Sequence, residues 1–212
     1  MSRKLVQVAL TAASRQDLVG SWARLGFTLN PTGDGFALAD GVVFDFLASD
    51  APGRQTATVG LILQPGDPLP QSADSAAACF QLADRVTGDA PAHANGALGL
   101  RSVVAVADNP ADHAEYLSAL TGQREMLATS AGLEIQLEGG ASLDVLSPRA
   151  FAFMYDATPA AGGFHIAGLV FGVKNTSETE NILRSNGLPS MFHVGRLTVG
   201  KVEGVAVGFE RA

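Results

Sequence analysis

The sequence predicts an α+β fold: repeated strand–helix–three-strand (βαβββ) modules forming curled mixed sheets, with one module reduced to a hairpin. Three observations predict it. An apolar strand, a short amphipathic helix, a glycine and then short strands ending in an apolar run recur three times along the chain. The strand-like runs alternate in polarity, whereas the helix-like runs repeat every three to four residues. Residues 51–95 keep a good strand but lose the pattern of a full helix. Repetition of this kind defines architecture more firmly than any single motif.

The first copy starts at Val6–Leu10, where Val6, Val8 and Leu10 alternate with Gln7 and Ala9. Ser14 is an N-cap candidate for a helix over Ser14–Leu25, since its hydroxyl can accept a free first-turn amide. Leu18, Trp22 and Leu25 give that helix a face to lay on a sheet. Gly26 suits the left-handed position just past the helix end. Phe27–Asn30 and Phe36–Ala39 read as strands around the turn Asn30-Pro31-Thr32-Gly33-Asp34-Gly35. Asp40-Gly41 signals a hairpin leading into Val42–Leu47.

The second copy starts at Leu100–Val106, passes a helix over Ala111–Leu120 opened by Asn109-Pro110, and reaches Gly122. Tyr116, Leu117 and Leu120 form the apolar face of that helix. Gly139-Gly140 turns the chain into the last strand, Leu143–Leu146. The third copy runs from Ile166–Val173 through Glu178–Arg184, capped by Thr176 or Ser177, to Gly187 and Val205–Phe209. Ile182 and Leu183 mark its buried face.

Two stretches break the pattern. After the strand Thr58–Leu63, residues 65–75 form a loop rich in Pro, Ser and Asp. Ala76–Val86 reads as a helix by its alanines or a strand around Cys79-Phe80; we favour a strand returning antiparallel to Thr58–Leu63. Gly88–Gly96 then links the halves. The stretch Pro148–Gly163 links the second and third copies and carries Phe151, Phe153, Met154 and Tyr155. Residues 1–92 thus hold one full and one reduced module, and residues 93–212 two full modules.

Composition excludes several functions. Hydrophobic residues make up 47% of the 212 residues and charged ones 17%, so the chain can build a sizeable core. With a net charge of −7 and no Lys/Arg cluster it lacks the basic face that nucleic acid or an anionic membrane surface needs. Cys79 is the only cysteine, which rules out an internal disulfide and a zinc site built on paired cysteines. The apolar run in the first ten residues is too short for a signal peptide. No run approaches the ~18 apolar residues of a membrane span. The expectation is a cytoplasmic protein, with an Ala- and Gly-rich composition that suits a GC-rich bacterial genome.

Paired strand–helix–three-strand modules resemble the vicinal oxygen chelate superfamily, which includes glyoxalase I, bleomycin-resistance proteins and extradiol dioxygenases. His93-Ala94-Asn95-Gly96-Ala97-Leu98-Gly99-Leu100, leading into Arg101-Ser102-Val103-Val104, is similar to the His-Pro-Asn-Gly-Ala segment of glyoxalase-like bacterial proteins, with Ala94 in place of the proline. The resemblance implies strands bent around a cavity. It also implies metal ligands on the first strand (often His or Gln) and the last strand (often Glu) of a module, holding a divalent ion that polarises an oxygenated substrate.

Tested on that frame, Gln7 takes the inward first-strand position of the first copy, and Asp45 faces the cavity if Phe44 and Phe46 face the helix. Gln7 and Asp45 are the candidate metal half-site, and Asp45 the candidate catalytic acid. A carboxylate between apolar neighbours is costly unless partnered, which also allows a plain salt bridge. In the second copy the matching positions are Arg101 or Ser102, and Asp144. Arg101 is the natural partner of Asp144; facing one cavity, the pair could hold a substrate carboxylate. In the third copy the positions fall near Gly168 and Gly208, which offer no side-chain ligand, and the reduced copy offers Gln81. No pair of copies supplies the full set of His and Glu ligands.

Among the remaining candidates, His93 is expected to brace the linker by hydrogen bonding. His113 is expected on an exposed helix face, and Cys79 as a small buried hydrophobe without a base to activate it. His165 and His193 are placed to reach a cavity rim, His165 as a substrate-binding residue. Phe44, Phe151, Phe153, Met154 and Phe192 are expected to make an apolar cleft, with Phe44 contacting the substrate.

Two functions fit. One is a glyoxalase-like lyase, isomerase or dioxygenase acting on a small oxygenated molecule, with a divalent metal or Asp45 stabilising an enolate-like intermediate. The other is a metal-free protein that binds or sequesters a small molecule by burying it. A third reading makes the curled sheets an oligomer interface, in the simplest case a homodimer.

Overall fold

The computed structural model describes residues 3–49, 58–64, 70, 74–84 and 88–212. Its strands are β1 (Leu5–Ala12), β2 (Gly35–Ala37), β3 (Val43–Ala48), β4 (Thr58–Leu63), β5 (Phe80–Leu82), β6 (Ala97–Val106), β7 (Leu127–Ala128), β8 (Gly132–Gln136), β9 (Ser142–Leu146), β10 (His165–Val173), β11 (Met191–His193), β12 (Arg196–Val202) and β13 (Val205–Arg211). The helices are α1 (Arg15–Arg24), α2 (Ala114–Thr121), α3 (Pro148–Tyr155) and α4 (Thr176–Ser185).

The strands form two mixed sheets. The N-terminal sheet has the order β2-β3-β1-β4-β5, and the C-terminal sheet β11-β12-β13-β10-β6-β9-β8-β7. Each is built around an antiparallel seam between two first strands, β1 with β4 and β6 with β10. In each module the last strand returns parallel to the first: β3 beside β1, β9 beside β6, β13 beside β10. A parallel return needs a crossover, which the helix supplies.

Alternation along the strands separates two faces. Val8, Leu10, Phe44, Phe46, Val59, Leu61 and Phe80 point to the helix side of the first sheet; Val103, Ala105, Leu143, Leu169, Phe171, Val207 and Phe209 do so in the second. These faces and the helices share one core. Trp22 of α1 is fully buried and sits 6.0 Å from Phe44 in one sheet and 6.0 Å from Phe171 in the other, ring centre to ring centre. Helices α1, α2 and α4 therefore lie between the sheets; the opposite face of the N-terminal sheet is open, whereas α3 packs on that of the C-terminal sheet.

The helix caps follow local chemistry. Ser14 Oγ accepts from the Asp17 amide, as expected. The cap of α4 is Asn175, one residue before the expected Thr176 or Ser177, and its Oδ1 accepts from the Ser177 amide. Gly26 and Gly122 adopt positive φ just past their helices.

Three expectations are corrected. Phe27–Asn30 is not a strand: the Thr28 amide goes to the His93 ring, while Asn30, Thr32 and Asp34 close a hydrogen-bonded turn. Ala76–Cys79 belongs to a 3₁₀ turn over Ser75–Cys79, capped by Asp74, and β5 then runs parallel to β4 where an antiparallel return was expected. Among the described residues the reduced module thus keeps two parallel strands and, before the second, a single 3₁₀ turn. Val86 and most of the 65–75 loop lie outside the described residues. Finally, Pro148–Gly163 is not an irregular linker, because α3 occupies its first half. Ser147 Oγ accepts from the Ala150 amide, Pro148 sits in the first turn, and Phe151 and Tyr155 are buried.

Candidate functional site

The open face of the N-terminal sheet floors a cleft of about 680 Å³. Gln7, Ala9 and Thr11 of β1, Gly60 and Ile62 of β4, and Gln81 of β5 line it. They are the residues that alternate with the core positions of the same strands, so the period-two pattern alone places them. The opposite wall comes from Pro159–Gly162, His165–Ala167 and the β12–β13 hairpin, which brings Lys201 and Gly204.

Gln7 and Asp45 meet, as the sequence predicts. Gln7 Nε2 donates to Asp45 Oδ2, which leaves the amide's carbonyl oxygen for the cleft. Burial raises the Asp45 pKa, and the Gln7 hydrogen bond opposes that rise. Asp45 itself does not line the cleft; it acts on Gln7. The Asp45 carboxyl therefore does not occupy the position expected of a catalytic acid at this cleft.

His165 does reach the cleft. Its Nδ1 lies 3.2 Å from the Gly163 carbonyl, so Nδ1 carries the proton and Nε2 keeps its lone pair. Nε2 is buried and has no hydrogen-bond partner. Cys79 also lines the cleft and is partly buried. Burial raises its thiol pKa against a backbone hydrogen bond from Ile166, which keeps it protonated and poorly nucleophilic. Gln81 is the residue the sequence offers for the reduced copy, and Lys201 is not among the sequence candidates. The strand alternation identified the former, whereas the hairpin that delivers Lys201 had no local signal.

The expected aromatic cleft does not exist. Phe44 is fully buried on the helix side, stacked 4.5 Å from Phe36, so it cannot contact a ligand in the cleft. Phe151 packs in the concavity of the C-terminal sheet, and Phe153 and Phe192 lie on the surface, 68% and 65% exposed. His193 hydrogen-bonds the Phe153 carbonyl and meets its ring edge-on, away from the cleft. His113 is not a free surface residue. Its Nδ1 pairs with Asp74 at 2.8 Å, and its ring meets Phe164 edge-on.

The concave face of the C-terminal sheet is occupied by protein. Phe151 and Tyr155 of α3 pack on Val104, Val106, Leu146, Ala167, Val170 and Ala206. A polar pocket of about 210 Å³ remains beside this plug. Arg101 and Ser102 both line it, because the register shift between Val170 and Phe171 leaves Arg101 as an extra residue next to Ser102. Arg101 does not pair with Asp144. It pairs with Glu210 at 3.4 Å, whose other oxygen lies 3.8 Å from Arg196. Asp144 instead accepts from Ser142 Oγ at 2.8 Å, and burial raises its pKa.

The divalent metal implied by the resemblance does not fit these residues. At the N-terminal site the Gln7 amide is committed to Asp45, and among the described residues no further His, Cys, Asp or Glu completes a ligand set with them. At the C-terminal positions Asp144 is held by the Ser142 hydroxyl, Gly168 and Gly208 offer no side chain, and the Arg101 and Arg196 guanidiniums share the pocket with Asp144, Glu134 and Glu210. Among the described residues no three His, Cys, Asp or Glu side chains come together as metal ligands.

His93-Ala94-Asn95-Gly96-Ala97 has a structural task. His93 is buried and bonds the Thr28 amide and the Ala37 carbonyl, as the linker-bracing expectation holds. Asn95 bonds the Leu25 carbonyl and the Ala97 amide, and Gly96 adopts a φ of 74°.

No protein-family model matches the chain, and no curated protein matches its sequence. Solved structures do match its fold. Paired modules around antiparallel seams define a class of curled-sheet scaffold. A mutant of 4-hydroxymandelate synthase from Streptomyces coelicolor superimposes with a TM-score of 0.59 at 13% identity, over 99% of this chain and 92% of that one. Homoprotocatechuate 2,3-dioxygenase from Arthrobacter globiformis gives 0.60 at 10% identity, over 99% and 79%. A xylose isomerase-like TIM barrel/4-hydroxyphenylpyruvate dioxygenase fusion protein gives 0.59 at 9% identity, and this chain spans 48% of its length. The chain has the vicinal oxygen chelate fold. No helix among the described residues is long and apolar enough to cross a membrane.

Proposed function

We propose that the chain binds a small oxygenated molecule in the cleft over the N-terminal sheet, without a metal ion. The observation that carries this reading is the His165 imidazole: its buried Nε2 lone pair has no partner, at the wall of a cleft of about 680 Å³. Small-molecule sites run from roughly 300 to 1,000 Å³ and combine apolar walls with a few convergent polar groups. A ligand hydroxyl donating to His165 Nε2 would satisfy that atom. The Gln7 carbonyl and Gln81 amide on the floor, and the Lys201 ammonium at the hairpin, would orient a second oxygen function. Residues 1–92 would supply the floor, and residues 93–212 the facing wall.

The test is calorimetric titration of the purified protein with a series of hydroxy-carbonyl compounds, beside elemental analysis. The reading expects saturable binding that survives a chelator and is lost in Ala9→Trp, which fills the cleft. It fails if a stoichiometric divalent metal is present and disappears on Asp45→Ala, or if no compound of the series binds.

A further inference from the structure

The residues left over by the Gln7–His165 cleft include a second group of buried polar side chains, on the opposite sheet. The concave positions that the fold's relatives would be expected to fill with metal ligands hold a different chemistry here. Ser102 on β6 is 5% exposed, and its Oγ has no hydrogen-bond partner of normal geometry. Arg196 on β12 spends Nη1 on the Tyr155 hydroxyl and lies 5.2 Å over that ring, yet its Nε is buried with no partner. Both atoms belong to residues lining the 210 Å³ pocket. The Ser102 hydroxyl faces the Asp144 carboxyl, whereas Arg196 Nε has no acceptor among the described residues; buried polar atoms are seldom left unpaired, so this donor calls for a partner from outside the chain.

Charge is separated across the pocket. Glu134 on β8 and Asp144 on β9 form one wall, and Arg196 on β12 stands across the sheet from them. Glu210 sits between the two arginines and neutralises one of them. With these groups ionised the lining carries two positive and three negative charges. That balance disfavours a lone anion, and the guanidinium of Arg196 disfavours a divalent cation. A molecule with both charges matches both walls.

We propose that this pocket binds a small zwitterion of the α-amino-acid type. Its carboxylate would take the free Arg196 Nε–H and the Ser102 hydroxyl, and its ammonium would lie against Asp144 and Glu134. The volume suits glycine or a short side chain, while the α3 plug, with Phe151 and Tyr155, closes the space that a larger ligand would need. The site is separate from the Gln7–His165 cleft, so the two readings stand or fall independently.

The experiment is thermal unfolding and calorimetry with glycine and L-serine at millimolar concentration, with acetate, methylammonium, glycerol and magnesium as comparison probes. The zwitterions should bind saturably and raise the melting point; the other probes should not. Arg196→Gln should weaken binding by about tenfold or more, the loss of a charge-assisted hydrogen bond. Because Arg196 also anchors Tyr155, Ser102→Ala serves as the milder variant; it should fold normally and still weaken binding. Ala9→Trp, in the other cleft, should leave glycine binding unchanged. Equal responses to acetate or methylammonium alone, binding of magnesium in preference to glycine, binding intact in Ser102→Ala, or no saturable binding of either zwitterion each overturn the proposal.

Discussion

Asn95 closes the end of helix α1: its Nδ2 donates 3.0 Å to the carbonyl of Leu25, the residue that caps the helix. The same side chain accepts from the Ala97 amide at 3.0 Å, and the Asn95 carbonyl accepts from Thr179 Oγ1 at 2.7 Å. One residue, 1% exposed, thereby ties α1 to β6 and α4. Asn95→Ala would leave a buried carbonyl and a buried amide without partners. Each such loss costs about 1–3 kcal/mol, so the variant should lose about 3 kcal/mol in urea unfolding. A loss near zero would show that solvent replaces both partners.

The neighbouring His93 predicts a pH dependence. The Thr28 amide donates to Nδ1 at 3.0 Å, so the ring's proton lies on Nε2, which donates to the Ala37 carbonyl at 3.0 Å. Protonating Nδ1 would set two donors against each other. Burial lowers the His93 pKa from 6.5, against the raising effect of the Ala37 hydrogen bond. The unfolded chain therefore binds the proton first, and stability present above pH 6.5 is lost as pH falls toward the folded value. His93→Gln should remove that slope from a plot of melting temperature against pH. An unchanged slope would assign the dependence to other groups.

How these residues read in the sequence depends on the range of the interactions involved. The three repeats, the Ser14 cap and the place of Gln7 on the open sheet face rest on periods of two and 3.6 and on local capping, and all were legible; that Asp45 would turn to Gln7 and leave the cleft was not. The parallel β5 was not, because the direction of a short strand is decided by its crossover. Helix α3 had its signals, Ser147 before Pro148, but the aromatic run after them suggested a cleft. The partner of Arg101 turned on a register shift of one residue between β6 and β10. Such a shift leaves no mark in the residue pattern. Lys201 and His165 converge only because the β12–β13 hairpin and the start of β10 face the first sheet across a long stretch of chain.

The Gln7–Asp45 pair makes a third prediction. Gln7→Leu would strip a half-buried carboxylate of its donor, at a cost of about 1–2 kcal/mol near neutral pH. The Asp45 pKa is already raised above 3.8, chiefly by burial, so its ionised form disfavours folding at pH values above the folded pKa. The cost of Gln7→Leu should therefore shrink in acid, where the carboxyl is protonated. Adding Asp45→Asn to Gln7→Leu should recover most of the loss at neutral pH. If the double variant is no more stable than Gln7→Leu alone, the charge is not the source of the cost.

Asp144 extends the same reasoning to the second pocket, with a sharper outcome. The groups facing its carboxyl are the Ser142 and Ser102 hydroxyls, the Glu134 carboxylate and the Arg196 guanidinium. Burial raises its pKa first and foremost; the Ser142 hydrogen bond opposes this, Glu134 adds to it, and Ser102 and Arg196 oppose it. In the window above 3.8 and below the raised folded pKa, the folded protein binds more protons than the unfolded chain, so stability falls as pH rises. Above the folded pKa the full penalty of a buried carboxylate remains. Asparagine at this position can still accept from Ser142 and carries no charge to bury. Asp144→Asn should therefore raise the melting temperature at neutral pH, with the gain fading as pH approaches 3.8. The same variant should weaken glycine binding about tenfold or more, since it leaves Glu134 as the ammonium's one counter-charge on that wall. A variant less stable than the parent at neutral pH would mean that attraction to Arg196 outweighs burial. The pocket would then be a closed ion-pair network with no place for a ligand's ammonium.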